Sequence, residues 1–300
     1  MQLTPAQEAA VELGTKIGPG EVGAIIGYAG TGKTTVLREL AARLQRAAQP
    51  AAESVPLRLV SNGIEVIRYP RPARFRDPED EDEVLSQRCT LLAPTGKAAG
   101  RIREAAGLLA TTVHSWLYQP VETPEGVVVF HRRDLDKLQR ADLIIVDEAS
   151  MVGPDMMGDL VVACTAIRAG LLLVGDDFQL PPVQKPGAPE YCALLDMRVN
   201  RAVRRTEVMR QALDSPVLRA ATLIREGQVR AGLKVLPTLH RETLDVVREG
   251  GAVIAHTNAT RHTINLRLRR ALGIEGEVPQ PSEPLLIMQN DARTGYFNGE

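Results

Sequence analysis

The sequence predicts an α/β protein built on an open, mostly parallel sheet, and three observations predict it. Short apolar runs recur along the chain at residues 23–27 (GAIIG), 90–95 (TLLAPT), 143–147 (LIIVD), 171–176 (LLLVGD) and 252–256 (AVIAH). Each is too short for a helix and leads into a turn or loop, as strands covered on both faces do. Helical stretches such as 36–48 and 97–106 lie between them, and strand–helix alternation of this kind gives a sheet with helices on both sides. The third observation is bulk: 300 residues, 44% of them hydrophobic, suffice for about two domains with a buried core in each.

Two regions interrupt the alternation. Between residues 49 and 87, LRLVSNGIEVIRY places Asn62-Gly63 between two β-type runs, the signal of a hairpin, and the acidic run 77–83 (DPEDEDE) reads as a solvated loop. Residues 119–133 (QPVETPEGVVVFHRR) carry a second hairpin signal with Glu125-Gly126 at its turn. The chain has neither an internal repeat nor a long low-complexity segment.

Composition excludes several classes. No apolar run reaches the ~18 residues of a membrane span, and the N-terminus lacks the basic start and apolar middle of a signal peptide. Cys89, Cys164 and Cys192 are scattered and odd in number, which fits no zinc pattern or disulfide framework and points to the reducing cytoplasm. A net charge of −1 gives no global field for nucleic acid, so any such groove is a local arrangement. Aromatics at 3% argue against a binder made of many stacking platforms.

The most specific chemistry sits between the first strand and the following helix. Gly27, Tyr28, Ala29, Gly30, Thr31, Gly32, Lys33 and Thr34 match G-x-x-x-x-G-K-[ST], with Thr35 next in line. Phosphates need backbone N–H groups pointing inward; glycines permit the curled path and the helix N-terminus adds its positive end. In this pattern Lys33 reaches the β/γ-phosphates of ATP and Thr34 holds Mg²⁺. A carboxylate at the end of another strand completes such a site, and Asp147-Glu148 after LIIV supplies it, Asp147 for Mg²⁺ and Glu148 to polarise the attacking water. Further on, Gln179 follows the 171–176 strand where an amide can sense the γ-phosphate, and Pro181-Pro182 stiffens the exit. Taken alone, Gln179 reads equally as part of a tight turn.

Eight segments in succession now resemble superfamily 1 DNA helicases of the RecD/Dda-like branch: LTPAQ (3–7), GYAGTGKTT (27–35), APTGKAAGRI (93–102), TVHSWL (112–117), VDEASM (146–151), GDDFQLPPV (175–183), RQALDSP (210–216) and AHTNATRHTIN (255–265). The resemblance implies a RecA-like P-loop NTPase domain over 1–198, with hairpin insertions near 55–70 and 119–133, and the start of a second RecA-like domain over 199–300. It also implies an ATP-dependent 5′→3′ motor on single-stranded DNA, or on a duplex with a single-stranded 5′ tail, of the kind used in DNA repair and recombination. Gln7 would read the adenine edge, and Arg210 would reach the γ-phosphate from the second domain. Without the resemblance Arg210 reads as one of several solvated arginines.

The resemblance further places DNA at loops carrying Pro94, Thr95 and Lys97, and Thr112, His114 and Ser115. Threonine hydroxyls and a lysine suit phosphates. Trp116 either stacks a base or anchors the core beneath the loop, and His114 is either a contact or a packing residue. The 119–133 hairpin falls where related enzymes place a strand-separating pin, or is a plain surface hairpin. Thr257 and Asn258 either face DNA or cap the helix expected over 260–272.

The chain departs from the family at its end, RTGYFNGE (293–300), where related helicases open a small inserted barrel and continue to further motifs. The expectation is a C-terminally truncated second domain, ATP binding by the first, and a cytoplasmic protein without a membrane partner. Two alternatives to the motor stand beside it: a nucleotide-dependent DNA-binding or scaffold subunit with weak ATPase, and a P-loop kinase, which the 93–102 and 175–183 segments disfavour.

Overall fold

A computed structural model of the chain describes residues 3–28, 30–48, 57–61, 64–68, 88–106, 108–124, 127–138, 141–205, 215–236, 243–249, 251, 253–274, 276, 278–281 and 283. Two compact units divide at Asp214/Ser215.

The first unit opens with helix α1 (Pro5–Lys16), started by a capping box in which Thr4 and Gln7 each bond the other's backbone N–H, with Pro5 at the first position. Strand β1 (Val22–Gly27) runs into α2 (Lys33–Ala48). Then follow a separate hairpin of β2 (Leu57–Ser61) and β3 (Ile64–Arg68), strand β4 (Cys89–Ala93), helix α3 (Gly96–Ala106), strand β5 (Ala110–Thr112) and the short helix α4 (Val113–Leu117). A second hairpin, β6 (Tyr118–Glu122) with β7 (Val128–Arg132), precedes β8 (Leu143–Val146), α5 (Pro154–Ile167), β9 (Gly170–Gly175) and β10 (Arg201–Arg205).

Six of these strands form one sheet in the order β10-β1-β9-β8-β4-β5, and every pairing in it is parallel. Period-two alternation splits its side chains between two cores. Val22, Ala24, Ile26, Ile144, Val146, Leu171 and Leu173 meet Met157 and Leu160 of α5 on one face. Ile25, Leu91, Ile145, Leu172 and Val174 meet Val36, Leu37 and Leu40 of α2 and Val11 of α1 on the other. Helices α1 and α2 approach so closely that a Cβ at Gly14 would lie 2.5 Å from Leu40 Cδ2, which explains a glycine inside a helix.

The expected fold class is therefore observed, with two local corrections. The apolar run expected as a strand over 252–256 shows none in its described residues: 253–256 carry no strand pairing, and Ile254 is 97% exposed. A lone parallel strand has no partner for its backbone groups, and the second unit's described residues contain no sheet to supply one. Conversely, RAVRR at 201–205 forms a strand that composition conceals. As the edge strand beside β1 it leaves Arg201 and Arg204 toward solvent, and it places residues 201–205 in the first unit rather than after a boundary at 198.

The second unit's described elements are helices: α6 (Pro216–Arg225), capped by Ser215, α7 (Val229–Val235), packed against α6, α8 (Thr243–Arg248) and α9 (Asn258–Ala271). All three cysteines are free. Among the described residues no helix is long and apolar enough to cross a membrane.

Leu172 at the centre of the sheet is 0% exposed and Met197 is 96% exposed. Leu172→Ala is expected to lower unfolding free energy by about 2–5 kcal/mol through lost burial and a residual cavity. Met197→Ala is expected to stay within about 0.5 kcal/mol. Urea denaturation of the two variants checks the pair; equal effects would contradict the assigned core.

Candidate nucleotide site and nucleic-acid surface

The site residues stand where β1, β4, β5, β8 and β9 leave the sheet at their C-terminal ends. Beyond Gly27 the chain passes through Tyr28 to Gly30 and Gly32, whose φ values of 77° and 76° lie in the left-handed region. That curl turns successive N–H groups inward ahead of the N-terminus of α2, the arrangement that receives a phosphate. Thr31 ties the loop back, its hydroxyl donating to the Tyr28 carbonyl at 2.8 Å. The Lys33 ammonium folds over the same loop, donating to the carbonyls of Gly27 at 2.8 Å and Tyr28 at 3.3 Å. Thr34 and Thr35 are partly buried in the first turn of α2. Ala29 lies outside the described residues.

Gln7 is 2% exposed and lies against this loop: a Cβ at Gly32 would come within 2.8 Å of its Nε2. Its Oε1 accepts the Thr4 N–H at 3.0 Å, and its Nε2 has no hydrogen-bond partner among the described residues. The capping box thus engages the carbonyl end of Gln7 and leaves the amide nitrogen beside Gly32 of the loop, a division that the LTPAQ segment alone did not reveal.

Asp147 and Glu148 leave the end of β8. The Asp147 N–H bonds the Leu92 carbonyl at 2.9 Å, tying the turn to β4, and Asp147 Oδ1 accepts the Glu148 N–H at 2.9 Å. Burial pushes the Asp147 carboxyl up to about 6, with the Glu148 charge adding to it; the Glu148 N–H and the Lys33 ammonium pull the other way. Lys33 is near enough for its charge to act on Asp147, although burial outweighs it. Glu148 is one of two non-glycine residues with positive φ among those described, at φ 50° and ψ 38°, and its Oε2 is buried without a hydrogen bond. Left-handed backbone at a residue with a side chain is strained, and strain of this kind persists where surrounding structure over-determines it. Here the overdetermination is visible: a Cβ at Gly175 on β9 would lie 3.1 Å from the Ala149 nitrogen, so the turn after β8 is pressed against the end of β9.

Gln179 is exposed, and its N–H bonds the carbonyl of the buried Asp176 at 3.1 Å, while Asp176 Oδ1 accepts from the Phe178 N–H at 3.1 Å. These bonds shape the loop after β9. Arg210 lies outside the described residues.

The candidate DNA residues divide by burial. Lys97 is exposed beside Pro94 and Thr95 at the end of β4, where the Thr95 hydroxyl accepts the Ala98 N–H at 3.2 Å. Thr112 caps α4, accepting the Ser115 N–H at 3.0 Å, and the Ser115 hydroxyl returns to the Thr112 carbonyl at 3.0 Å. His114 packs between rings, with centroids 4.8 Å from Tyr118 and 4.5 Å from Phe130. Trp116 is 6% exposed and belongs to the core; it offers no face to a base, which corrects its assignment as a DNA contact in favour of the core anchor. Thr257 caps α9 through the Thr260 N–H at 3.1 Å and Asn258 is that helix's first residue, so capping accounts for Thr257.

Asp159 of α5 escaped sequence reasoning. Nearly buried, it accepts the Tyr118 hydroxyl at 2.5 Å and the Arg132 Nε at 2.8 Å, clamping both strands at the base of the β6–β7 hairpin. Nothing local signals this, because the partners are far apart in the chain. The hairpin carries exposed Val121, Val127 and Phe130 outward from that clamp.

The family model of the AAA domain matches residues 2–258. The ATP-dependent RecD2 DNA helicase of Deinococcus radiodurans is 39% identical over 152 residues, covering 51% of this chain and 20% of that protein. The RecBCD enzyme subunit RecD of Mycolicibacterium smegmatis is 30% identical over 254 residues, covering 76% of this chain and 43% of that protein. The chain thus spans less than half the length of these relatives. In fold it is similar to unliganded Pif1 from Bacteroides sp, with a TM-score of 0.51 and 22% identity over 100% of this chain and 68% of that one. The Pif1 helicase of Candida albicans follows at a TM-score of 0.50 and 18% identity, over 92% and 56%. The P-loop, the Asp-Glu turn and the parallel sheet agree with these matches, and the chain belongs to the AAA domain family, within the superfamily 1 RecD-like group of P-loop proteins.

Proposed function

We propose that the chain is the nucleotide-driven core of a DNA motor that hydrolyses ATP, is stimulated by single-stranded DNA and steps 5′→3′, and that it works in the cytoplasm. The observation that carries this reading is the convergence of the curled Gly27–Thr34 loop with a strained Glu148 whose buried Oε2 lacks a hydrogen bond. The relative named ATP-dependent RecD2 DNA helicase supports ATP and DNA as substrates, and the direction rests on the resemblance of the motif order alone. In this reading residues 215–300 supply the start of a second RecA-like domain, and Arg210, in the segment that precedes it in the chain, would complete the site.

The loop amides and Lys33 hold and neutralise the phosphates, and Glu148 accepts the proton of the attacking water. Thr34 and Asp147 are the residues that would hold Mg²⁺, which would supply positive charge to offset that of the phosphates. A hydroxyl and one carboxylate suit an ion that keeps most of its shell from water and phosphate, and among the described residues no larger His/Cys/Asp/Glu cluster competes for it. Gln7 Nε2 donates toward the base, and Gln179 senses the γ-phosphate. Lys97, Thr95 and the Thr112–Ser115 turn receive the DNA backbone, and the clamped hairpin separates strands.

A nucleotide-dependent DNA-binding subunit with weak ATPase is the second reading. Single-strand-stimulated ATP hydrolysis separates the two: the motor is strongly stimulated, whereas the scaffold binds with little turnover.

Lys33→Ala is expected to abolish turnover, and near-wild-type ATPase activity would remove this site from consideration. Glu148→Gln is expected to retain nucleotide affinity while slowing hydrolysis about 10²–10⁴-fold, the usual worth of a general base; loss of binding together with turnover would refute the role. Lys97→Ala is expected to weaken single-stranded DNA binding uniformly across sequences and to flatten the salt dependence by about one phosphate contact. A salt titration by fluorescence anisotropy checks it, an unchanged slope being the contrary result.

A further inference from the structure

One ion pair joins elements on either side of the P-loop strand. Strands β10, β1 and β9 are neighbours, and their registers set Arg204, Ile26 and Gly175 abreast in one row. Residues sharing a row of a parallel sheet project to the same face, and Ile26 packs with Leu173 and Leu194 on the face away from α2. From β10 on that face, Arg204 Nη1 reaches Asp177 Oδ2 at 2.6 Å, spanning the end of β1. The Asp177 side chain is 5% exposed and that of Arg204 is 51% exposed. The second oxygen, Oδ1, is buried and has no hydrogen bond among the described residues. A buried carboxylate held through one oxygen is poor economy as a pure stabiliser, because an apolar pair of similar volume commonly serves at least as well.

The pair's position gives it another use. Asp177 sits between Asp176, whose carboxylate and carbonyl bond the Phe178 and Gln179 N–H groups, and Gln179 itself. The Asp177 carboxylate thus ties to β10 the same short turn that carries Gln179. At the other end Arg204 stands one row short of the pairing of Gly27 with Arg205, where the P-loop begins, and Arg210 follows five residues after Arg205 in the sequence.

We propose that Arg204 and Asp177 are positioning residues that make the Gln179 loop and the end of β10 respond together to nucleotide at the P-loop. This rests on the nucleotide-driven reading above. Without the link the loop still meets the γ-phosphate, but its movement is not passed across β1 to the segment that continues to Arg210.

Hydrogen exchange on the full chain, with and without a non-hydrolysable ATP analogue and Mg²⁺, tests this. In the wild type, peptides covering 177–183 and 200–205 should both change protection on binding. In Arg204→Ala the first should still respond while the second loses its response, with analogue affinity close to wild type. Single-strand-stimulated kcat should fall by about 5–150-fold, the span of ordinary coupling between sites. Arg204→Lys should recover part of both readouts. The double variant Asp177→Asn/Arg204→Ala removes the buried charge and should regain thermal stability without regaining the joint response. The proposal is overturned if both peptides respond together in Arg204→Ala, if neither responds in a wild type that binds the analogue, or if the double variant recovers coupling along with stability. A wild type that binds the analogue and shows the joint response yet hydrolyses no ATP would sink the hydrolytic reading and leave the coupling standing; a wild type that binds no analogue would sink both.

Discussion

A parallel sheet covered on both faces has few places for polar chemistry, and this constraint organises the molecule. Its strands are apolar on both sides, so the first water-facing backbone along each strand comes at the C-terminal end. Gly27, Pro94, Thr112, Asp147 and Asp176 all stand at or just beyond such ends. Parallel order makes these ends coincide along one edge, which is why residues far apart in the chain fall within each other's fields. The influence of Lys33 on the Asp147 carboxyl is the direct expression of that coincidence.

Several groups at this edge are held in states that isolated residues would avoid. Gly30 and Gly32 curl to the left, Glu148 does the same with a side chain, Asp147 is burdened by burial, and Gln7 keeps a buried amide nitrogen without a partner. Each departure costs stability, and the cores that clasp α2 and α5 to the sheet offset it. The departures share a direction, since donors gather around the loop and acceptors gather at the turn after β8. A triphosphate with its cation is complementary to both sets at once. Binding would relieve what folding leaves unsatisfied, and in this way the fold's local costs become affinity for a ligand.

The second surface follows different rules. Thr95 and Thr112 use their hydroxyls to start helices, so their acceptor capacity is partly engaged and their availability to DNA is set by geometry. The β6–β7 hairpin could not hold a fixed direction on two strands alone; its rigidity comes from the Asp159 carboxylate of α5, bound to Tyr118 on one strand and Arg132 on the other. In the proposed reading, a protein of nearly neutral net charge would meet nucleic acid through a local arrangement of one lysine, a few helix caps and this anchored hairpin.

By itself the sequence determined the class of fold, the phosphate loop and the Asp-Glu turn, because each depends on local conditions: glycines where φ must be positive, apolar runs of strand length, a carboxylate pair behind one of them. Both hairpins were legible for the same reason, in the turn residues between β-type runs. Only the tertiary structure decided what depends on partners distant in the chain. It buried Trp116, turned Gln7 so that only its nitrogen faces the loop, made a strand of arginine-rich 201–205 because an edge tolerates charge, and left 253–255 unpaired because the second unit's described residues hold no sheet for it to join. Periodicity and turn chemistry act over a few residues, whereas burial and hydrogen-bond satisfaction are settled by whatever the whole chain brings alongside.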